Sequence, residues 1–270
     1  MGFTLHSAAP VPFLSCDAFS AAGGIAHGFS TRLGGVSEGD CAGLNLSYSR
    51  GDDPACVTEN LRRFTASIGA DSTRLVKTRQ VHRDHIQPVT ARDICRDFFA
   101  PAPWECDGLI TDEPGLCLTI FTADCVPVLL CDPVCRCIAA VHSGWRGAAL
   151  SIAPKAVEQM VRDYGCRREH ILAAIGPCIS RCCFETHADV PDALRAALGS
   201  GITPFITPLP NEKFLVDLKG IVAHGLSLAG LREEHIHITD HCTACRPDLY
   251  WSHRVLGERR GSMASMIQLA

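Results

Sequence analysis

The sequence has no run of lysine or arginine, no internal repeat and no long linker. Its formal net charge is −4 over 270 residues, so neither nucleic acid nor an acidic membrane surface is favoured as a partner. The most apolar segment, residues 116–141, is too polar to span a bilayer because two aspartates and a proline interrupt it. No lysine or arginine precedes Arg32, and residues 1–14 have no long apolar core. We therefore expect no secretory signal and predict a cytoplasmic protein.

Cysteine, by contrast, is abundant, with 16 residues. Disulfides are uncommon in the cytoplasm, so most of these cysteines are interpreted as small buried apolar side chains. A hydrophobic content of 47% and a charged content of 20% are typical of a globular chain. The length allows one large domain or two small ones, and the lack of an internal repeat and of a long linker favours one domain over residues 1–270. Strand-like and helix-like segments alternate irregularly, which predicts an α/β or α+β fold with a mixed sheet and helices outside it.

Residues 122–147 contain the strongest local pattern. Two apolar runs, 126–131 and 137–141, each have the length of a buried strand, and Asp132-Pro133 provides a turn between them. Cys125 precedes the first run and His142 follows the second. If the runs pair as an antiparallel hairpin, these two residues lie at the same end of it. A thiol beside an imidazole indicates either a metal site or a nucleophile with its base.

A third candidate, His82, is predicted to end a strand over residues 74–81. His82, Cys125 and His142 would form a three-ligand zinc site with a fourth position open. Asp124 is the natural carboxylate to orient one histidine or to act as a base. The alternative, a buried cysteine with hydrogen-bonded structural histidines, stays open at this point.

Other polar residues allow further sites. The CxxC residues Cys242 and Cys245 could bind a structural zinc together with Cys182, Cys183 or His241. A thioredoxin-like role is less favoured because no βαβ unit begins at the CxxC motif. Arg32, beside a glycine turn, fits a solvated loop residue, and Asn45, between two leucines, fits a half-buried amide that holds a turn.

Short motifs along the chain resemble those of the multicopper polyphenol oxidase (laccase-like, DUF152) family, whose members are often described as purine nucleoside phosphorylases. They occur in family order from Ala26 to Arg254 and include AHGFSTRLGGVS, GLNLS, GDDPACVTEN, QVH, CDGLIT, TADCVPVLLCD, AVHSGWRG, IGPCIS, CCFE, CTAC and WSHR. The resemblance implies a single-domain, four-layer αββα sandwich related to bacterial toxin deamidases with a Cys-His site. It also implies a metal, usually zinc, held by His82, Cys125 and His142.

The resemblance implies phosphorolysis of adenosine, inosine and methylthioadenosine, with adenosine deamination as a second activity. The partners would be purine nucleosides and phosphate. Zinc with an open coordination position can activate water for attack on C6 of adenine. Phosphorolysis needs cations that hold phosphate, and Arg32 and Arg146 are candidates because each lies in a glycine-rich turn of a family motif. Asn45, in GLNLS, is a further candidate substrate contact.

Three alternatives are retained. Cys125 could be a nucleophile, with His142 as its base and Asp124 as its orienting group, in an amidase such as a peptidoglycan-precursor editing hydrolase. Copper-dependent phenol oxidation fits the older family label, although the chain lacks the His-rich motifs of a multicopper centre. A metal- or redox-sensing module without turnover would use the abundant cysteines.

Overall fold

A computed structural model describes residues 2–8 and 10–270. In chain order, its strands are β1 (Phe3–His6), β2 (Phe13–Cys16), β3 (Ile25–Ser30), β4 (Leu75–Lys77), β5 (Ile86–Pro88), β6 (Gly108–Thr111), β7 (Cys117–Thr122), β8 (Val126–Asp132), β9 (Cys137–Ser143), β10 (Leu172–Ile175), β11 (Glu185–Thr186), β12 (Ile206–Pro208), β13 (Phe214–Val216), β14 (Ile236–Ile238) and β15 (Met263–Leu269). The α-helices are α1 (Asp17–Ala22), α2 (Pro54–Ile68), α3 (Trp145–Ala149), α4 (Ile152–Tyr164), α5 (Asp189–Leu198), α6 (Leu218–Leu228) and α7 (His253–Leu256).

The strands form two six-stranded sheets and one small sheet. The first large sheet has the order β1-β2-β3-β15-β7-β4, the second has the order β14-β10-β8-β9-β6-β5, and β11-β13-β12 form the small sheet. Both large sheets are mixed: β4 is parallel to β7, β14 to β10 and β5 to β6, while the other pairs are antiparallel. The prediction of a mixed sheet is confirmed.

The predicted hairpin is the centre of the second sheet. Strands β8 and β9 pair antiparallel with Pro127 opposite His142, which places Cys125 and His142 at one end as expected. Along β8, Val128 and Leu130 face the helices, whereas Leu129 faces the first sheet. Because both faces are covered, β8 is apolar from Val126 to Cys131 instead of alternating with polar residues.

The helices and the two large sheets form layers, and the burial of their apolar faces shows the order of these layers. Helix α2 packs Leu61, Phe64 and Ile68 on the outer face of the first sheet, and α4 and α6 cover the outer face of the second. The inner faces of the two sheets share a core that includes Phe29 and Trp251. The four-layer αββα arrangement is therefore confirmed, while the single domain over residues 1–270 stays a prediction.

One predicted element is wrong. The strand expected over residues 74–81 ends at Lys77, and His82 lies in a loop with a positive φ of 60°. The chain leaves the sheet because the backbone N–H groups of Val81, His82 and Arg83 all turn toward the carboxylate of Asp107. No helix among the described residues is both long and apolar enough to cross a membrane.

Candidate active site

His82, Cys125 and His142, here named the three-ligand cluster, meet at the end of the β8–β9 hairpin. Cys125 Sγ lies 3.9 Å from His82 Nε2, and the two imidazole rings are 4.8 Å apart and nearly perpendicular. One ligand atom from each residue lies within 4.8 Å of the other two. The rigid hairpin supplies Cys125 and His142, whereas the loop that follows β4 supplies His82.

Asp107 is the carboxylate that organises this cluster. Its Oδ1 lies 2.8 Å from His142 Nδ1 and also accepts the backbone N–H of His82 at 3.0 Å. Its Oδ2 accepts the backbone N–H groups of Val81 and Arg83. Burial by itself would raise the pKa of Asp107, but the hydrogen bonds from His142 and the backbone amides lower it below its usual value. One buried carboxylate thus fixes two of the three ligands.

The structure corrects the expectation that Asp124 orients a histidine. Asp124 Oδ1 accepts a hydrogen bond from Thr243 Oγ1 at 2.6 Å, and Oδ2 accepts from Ser252 Oγ and the Arg254 backbone N–H. Asp124 itself has a positive φ of 85°. Its carboxylate therefore holds the turn before Cys125 against the C-terminal part of the chain.

The charges within the cluster stabilise one another. Burial opposes ionisation of both partners, but the His142 cation beside the Cys125 thiol lowers the pKa of the thiol, with further help from His82. The Cys125 thiolate and then the Asp107 carboxylate raise the pKa of His142 above its usual value. Without a metal, Cys125 and His142 therefore form a thiolate–imidazolium pair.

The cluster fits a zinc ion. A thiolate with two imidazoles is a ligand set that zinc prefers, and three protein ligands leave a fourth position open. His142 contacts Asp107 through Nδ1, which leaves Nε2 for a metal. Gly144 provides the space: a Cβ there would lie 3.0 Å from His82 Cδ2 and 3.1 Å from Cys125 Sγ.

A cavity of about 460 Å³ opens above the cluster, within the range of about 300–1,000 Å³ that is typical of small-molecule sites. Three arginines, Arg50, Arg79 and Arg260, lie on its wall. Tyr48 and Phe121 supply aromatic rings to the lining, and Ser47, Thr122 and Ser262 supply hydroxyl groups. The loop after β4 contributes four lining residues: Thr78, Arg79, Gln80 and His82. The cavity can therefore receive a ligand with an aromatic part and an anionic part.

Comparison with known proteins decides the family. Residues 26–270 match the family described as multi-copper polyphenol oxidoreductase laccase. The purine nucleoside phosphorylase YlmD of Geobacillus stearothermophilus is 35% identical over 263 residues, covering 94% of this chain and 92% of that protein. A purine nucleoside phosphorylase of Deinococcus radiodurans is 38% identical over 245 residues, covering 91% and 89%. This chain belongs to the multi-copper polyphenol oxidoreductase laccase family.

A solved structure of the same fold supports the family assignment. The hypothetical protein YfiH of Bacillus licheniformis superposes with a TM-score of 0.92 and 31% identity, covering 98% of this chain and 99% of that one. The laccase family name mentions several coppers. Within residues 2–8 and 10–270, however, three groups of side chains could hold a metal, and histidine occurs in one of them. The described chain therefore lacks the several histidine clusters that a multicopper centre needs.

Arg32 and Arg146, which the sequence predicts to hold phosphate, do not line this cavity. The Arg32 guanidinium stacks 3.8 Å from the ring of Trp251 and donates to the Pro247 carbonyl, and the exposed Arg146 packs against Trp145. Arg50 and Arg260, which do line the cavity, also each precede a glycine, so a neighbouring glycine does not by itself identify the arginines of the site. Arg50 donates to the carbonyl oxygen of Arg260 and pairs with Glu258, which links two of the lining segments.

Asn45 supports the cavity wall from behind. It is fully buried; its Oδ1 accepts the backbone N–H groups of Ser47 and Ser262, and its Nδ2 donates to Asp52. Ser47 and Ser262 both line the cavity. The interpretation of Asn45 as an amide that holds a turn therefore agrees with its contacts, and its effect on a ligand would be exerted through these two serines.

Proposed function

We propose that this protein is a metal-dependent purine nucleoside phosphorylase that also deaminates adenosine. Its substrates would be adenosine, inosine and methylthioadenosine together with phosphate. The observation that carries the proposal is one cavity that contains the three-ligand cluster, two aromatic side chains and an arginine that forms no ion pair with any described residue. The relatives from Geobacillus stearothermophilus and Deinococcus radiodurans are named purine nucleoside phosphorylases, which supports the phosphorolysis part of the proposal.

Arg260 is the strongest candidate for the phosphate contact. It lies on the cavity wall, half-buried, and its Nε atom has no hydrogen-bond partner among residues 2–8 and 10–270. In the described part of the chain no carboxylate forms an ion pair with it. Burial, and then the cation of Arg50, lower the pKa of Arg260. A guanidinium in such surroundings remains charged and is stabilised when an anion binds beside it.

In phosphorolysis, the arginines and the aromatic residues of the cavity would have separate roles. Arg260, with Arg50 and Arg79, would hold phosphate so that one of its oxygens attacks C1′ of the ribose as the bond from C1′ to the purine nitrogen breaks. The phosphate charge would stabilise the positive charge that develops on the sugar. Tyr48 and Phe121, whose rings lie 5.9 Å apart, would pack against the purine.

His82, Cys125 and His142 would hold zinc, although the same ligands also accept copper. When bound, the metal supplies a Lewis acid at the base of the cavity. Asp107 keeps His142 in one orientation and one tautomer, so that its free nitrogen points toward the ligand position. For deamination, this end of the cavity would receive C6 of adenine, and ammonia would leave as water adds.

A second candidate function rests on the thiolate–imidazolium pair. In metal-free protein, Cys125, His142 and Asp107 form a nucleophile, a base and an orienting carboxylate, which is the arrangement of a cysteine amidase. A bound metal would occupy the thiolate and prevent its attack. Amidase activity would therefore increase when metal is removed, whereas nucleoside turnover would disappear.

The proposal is tested with zinc-loaded protein and adenosine, with and without phosphate, by separating adenine, hypoxanthine, inosine and ribose 1-phosphate. Ribose 1-phosphate is expected only with phosphate, in an amount equal to adenine and hypoxanthine together, because inosine formed by deamination is itself a proposed substrate of phosphorolysis. Inosine in both conditions is the expected sign of deamination. If no nucleoside is converted under any metal loading, the proposed function is wrong.

The phosphate contact is tested with Arg260→Ala. We expect the KM for phosphate to increase about 10²-fold, because a charge-assisted contact to the anion is lost, while deamination without phosphate changes much less. The matched control is Arg259→Ala, since Arg259 is 82% exposed and pairs with Asp40 outside the cavity lining. Equal effects of the two substitutions on phosphate KM would exclude Arg260 as the contact.

A further inference from the structure

Four thiols from two distant segments meet at the surface of the molecule. Cys182 and Cys183 lie in the turn between β10 and β11, and Cys242 and Cys245 lie in the CxxC turn after β14. The four Sγ atoms are within 4.8 Å of one another, and Cys245 Sγ lies 3.5 Å from Cys182 Sγ and 3.4 Å from Cys183 Sγ. These residues are here named the four-thiol cluster.

The spacing of the sulfur atoms suits a tetrahedral metal. Four thiolates at the zinc–sulfur distance of about 2.3 Å have neighbouring sulfurs about 3.8 Å apart. The observed separations, from 3.4 Å to at most 4.8 Å, lie on both sides of this value. His241, the alternative ligand considered from the sequence, is not in the cluster, because its Nδ1 lies 2.6 Å from Tyr250 Oη. Four sulfur ligands and no open position are typical of structural zinc sites.

The surroundings offer partners to charged sulfur. The backbone N–H of Ser180 donates to Cys242 Sγ at 3.3 Å. The guanidinium of Arg254 is anchored on the carbonyl oxygens of Cys183 and Glu185, at 3.0 Å each, which places a cation beside this turn. Backbone N–H groups and nearby cations stabilise the net negative charge of a metal with four thiolates. Cys182 and Cys245 are exposed, so an ion can reach the cluster from solvent.

The two turns follow β10 and β14, which pair in parallel, so the cluster lies where two neighbouring strands end. Beyond the strands, their backbones meet in the hydrogen bond from the Thr239 N–H to the Ile175 carbonyl, the isolated bridge of Cys178 with Cys242, and the hydrogen bond from the Thr243 N–H to the Cys178 carbonyl. A metal that joins the four side chains would add a cross-link between the two turns, since structural sites contribute their binding free energy to folding.

We propose that Cys182, Cys183, Cys242 and Cys245 bind a second zinc ion as a closed structural site. The proposal does not depend on the reaction catalysed in the cavity. The site has a positioning role, because the segment that it fixes supplies Thr243 and Ser252, whose hydroxyls hold the Asp124 carboxylate next to Cys125. Loss of this metal should loosen the turn before Cys125 without removing any ligand of the three-ligand cluster.

The test measures metal per chain by mass spectrometry of purified protein. We expect about two zinc ions in the unmodified chain and about one in both Cys125→Ser and Cys242→Ser. Cys56→Ser is the matched control, because Cys56 belongs to neither cluster, and it should retain both ions. Retention of both ions in Cys242→Ser, or one ion in the unmodified chain, would overturn the proposal.

A second measurement leaves the four-thiol cluster intact in case Cys242→Ser does not fold. The Cys125→Ser chain is stripped of metal and loaded with Co²⁺. A tetrahedral centre with four thiolates gives intense sulfur-to-cobalt charge-transfer absorption, and Zn²⁺ should displace it. A cobalt spectrum without these bands, or disulfides among the four cysteines in protein purified without reductant, would overturn the proposal. Iron in place of zinc in the purified protein would overturn the assignment of the metal.

Discussion

The three-ligand cluster and the four-thiol cluster use similar ligand atoms for different purposes. In the first, His142 and Cys125 extend from a rigid hairpin into a cavity, and Asp107 fixes two ligands from behind. In the second, four thiols in two turns surround one point at the surface, with no carboxylate in the group. The number of ligands makes the difference: three leave a position for a substrate, whereas four fill the coordination shell and serve the fold.

Cys125→Ser should show the largest difference in behaviour between the three-ligand cluster and the four-thiol cluster. It removes the only thiolate of the three-ligand cluster, so we expect kcat/KM for adenosine to decrease by about 10³-fold or more, with little change in Tm. Cys182→Ser should show the reverse pattern: a lower Tm with a much smaller loss of nucleoside turnover below the transition, because the turn before Cys125 loosens but all three ligands remain. Steady-state assays and thermal unfolding of both variants test this. Equal losses of activity in the two variants would remove the distinction between the clusters.

Asp107→Asn should have the next largest effect. Each oxygen of Asp107 accepts two hydrogen bonds, and an amide replaces one of these acceptors by a donor. We expect metal affinity of the three-ligand cluster to decrease about 10–100-fold, while the four-thiol cluster keeps its ion. Competition with a chelator measures both affinities. Asp112→Asn is the control, because Asp112 is exposed and lies at the opposite end of β6, and a similar loss there would contradict the role of Asp107.

How much the sequence could predict differs between these parts of the site. Cys125 and His142 were found because a hairpin of two apolar runs fixes their relation locally. Asp107 was missed because its role depends on three amides of a loop in which His82 has a positive φ, a conformation that no residue spacing indicates. Arg260 was missed because only the pairing of β15 within the first sheet brings residues 260–262 to the cavity.

Gly144→Ala should have a smaller effect that is again confined to the three-ligand cluster. The backbone at Gly144 has φ −67°, so alanine adds a methyl group there without backbone strain. That methyl would press on His82 Cδ2 and Cys125 Sγ and shift both ligands by a few tenths of an ångström. We expect metal affinity to decrease about tenfold. Gly201→Ala, where the nearest atom is 3.4 Å from the new Cβ, should leave affinity unchanged in the same competition assay.

The smallest effect concerns thiol reactivity in metal-free protein. The pKa of Cys125 is lowered by His142 and His82 against the effect of burial, whereas burial and the neighbouring thiols raise the pKa of Cys182. At a pH below the usual pKa of a cysteine thiol, Cys125 is therefore already a thiolate, while Cys182 is still a thiol. At pH 7 we expect iodoacetamide to label Cys125 at least about threefold faster, although Cys182 is the more exposed. Peptide mass spectrometry across pH 5–9 measures both rates, and faster labelling of Cys182 at pH 7 would contradict the charge assignment.

The position of β15 has a consequence for synthesis of the protein. This strand, Met263–Leu269, lies between β3 and β7, so the first sheet has a gap at its centre until the ribosome has released the segment that fills it. Until then, the facing edges of β3 and β7 lack their partner, and unpaired edges favour aggregation. A nascent chain that stops before residue 263 would lack the pairing that brings Arg260 and Ser262 to the cavity. Folding of the first sheet and formation of the cavity are thus both coupled to pairing of β15, which is translated after the other strands of the two large sheets.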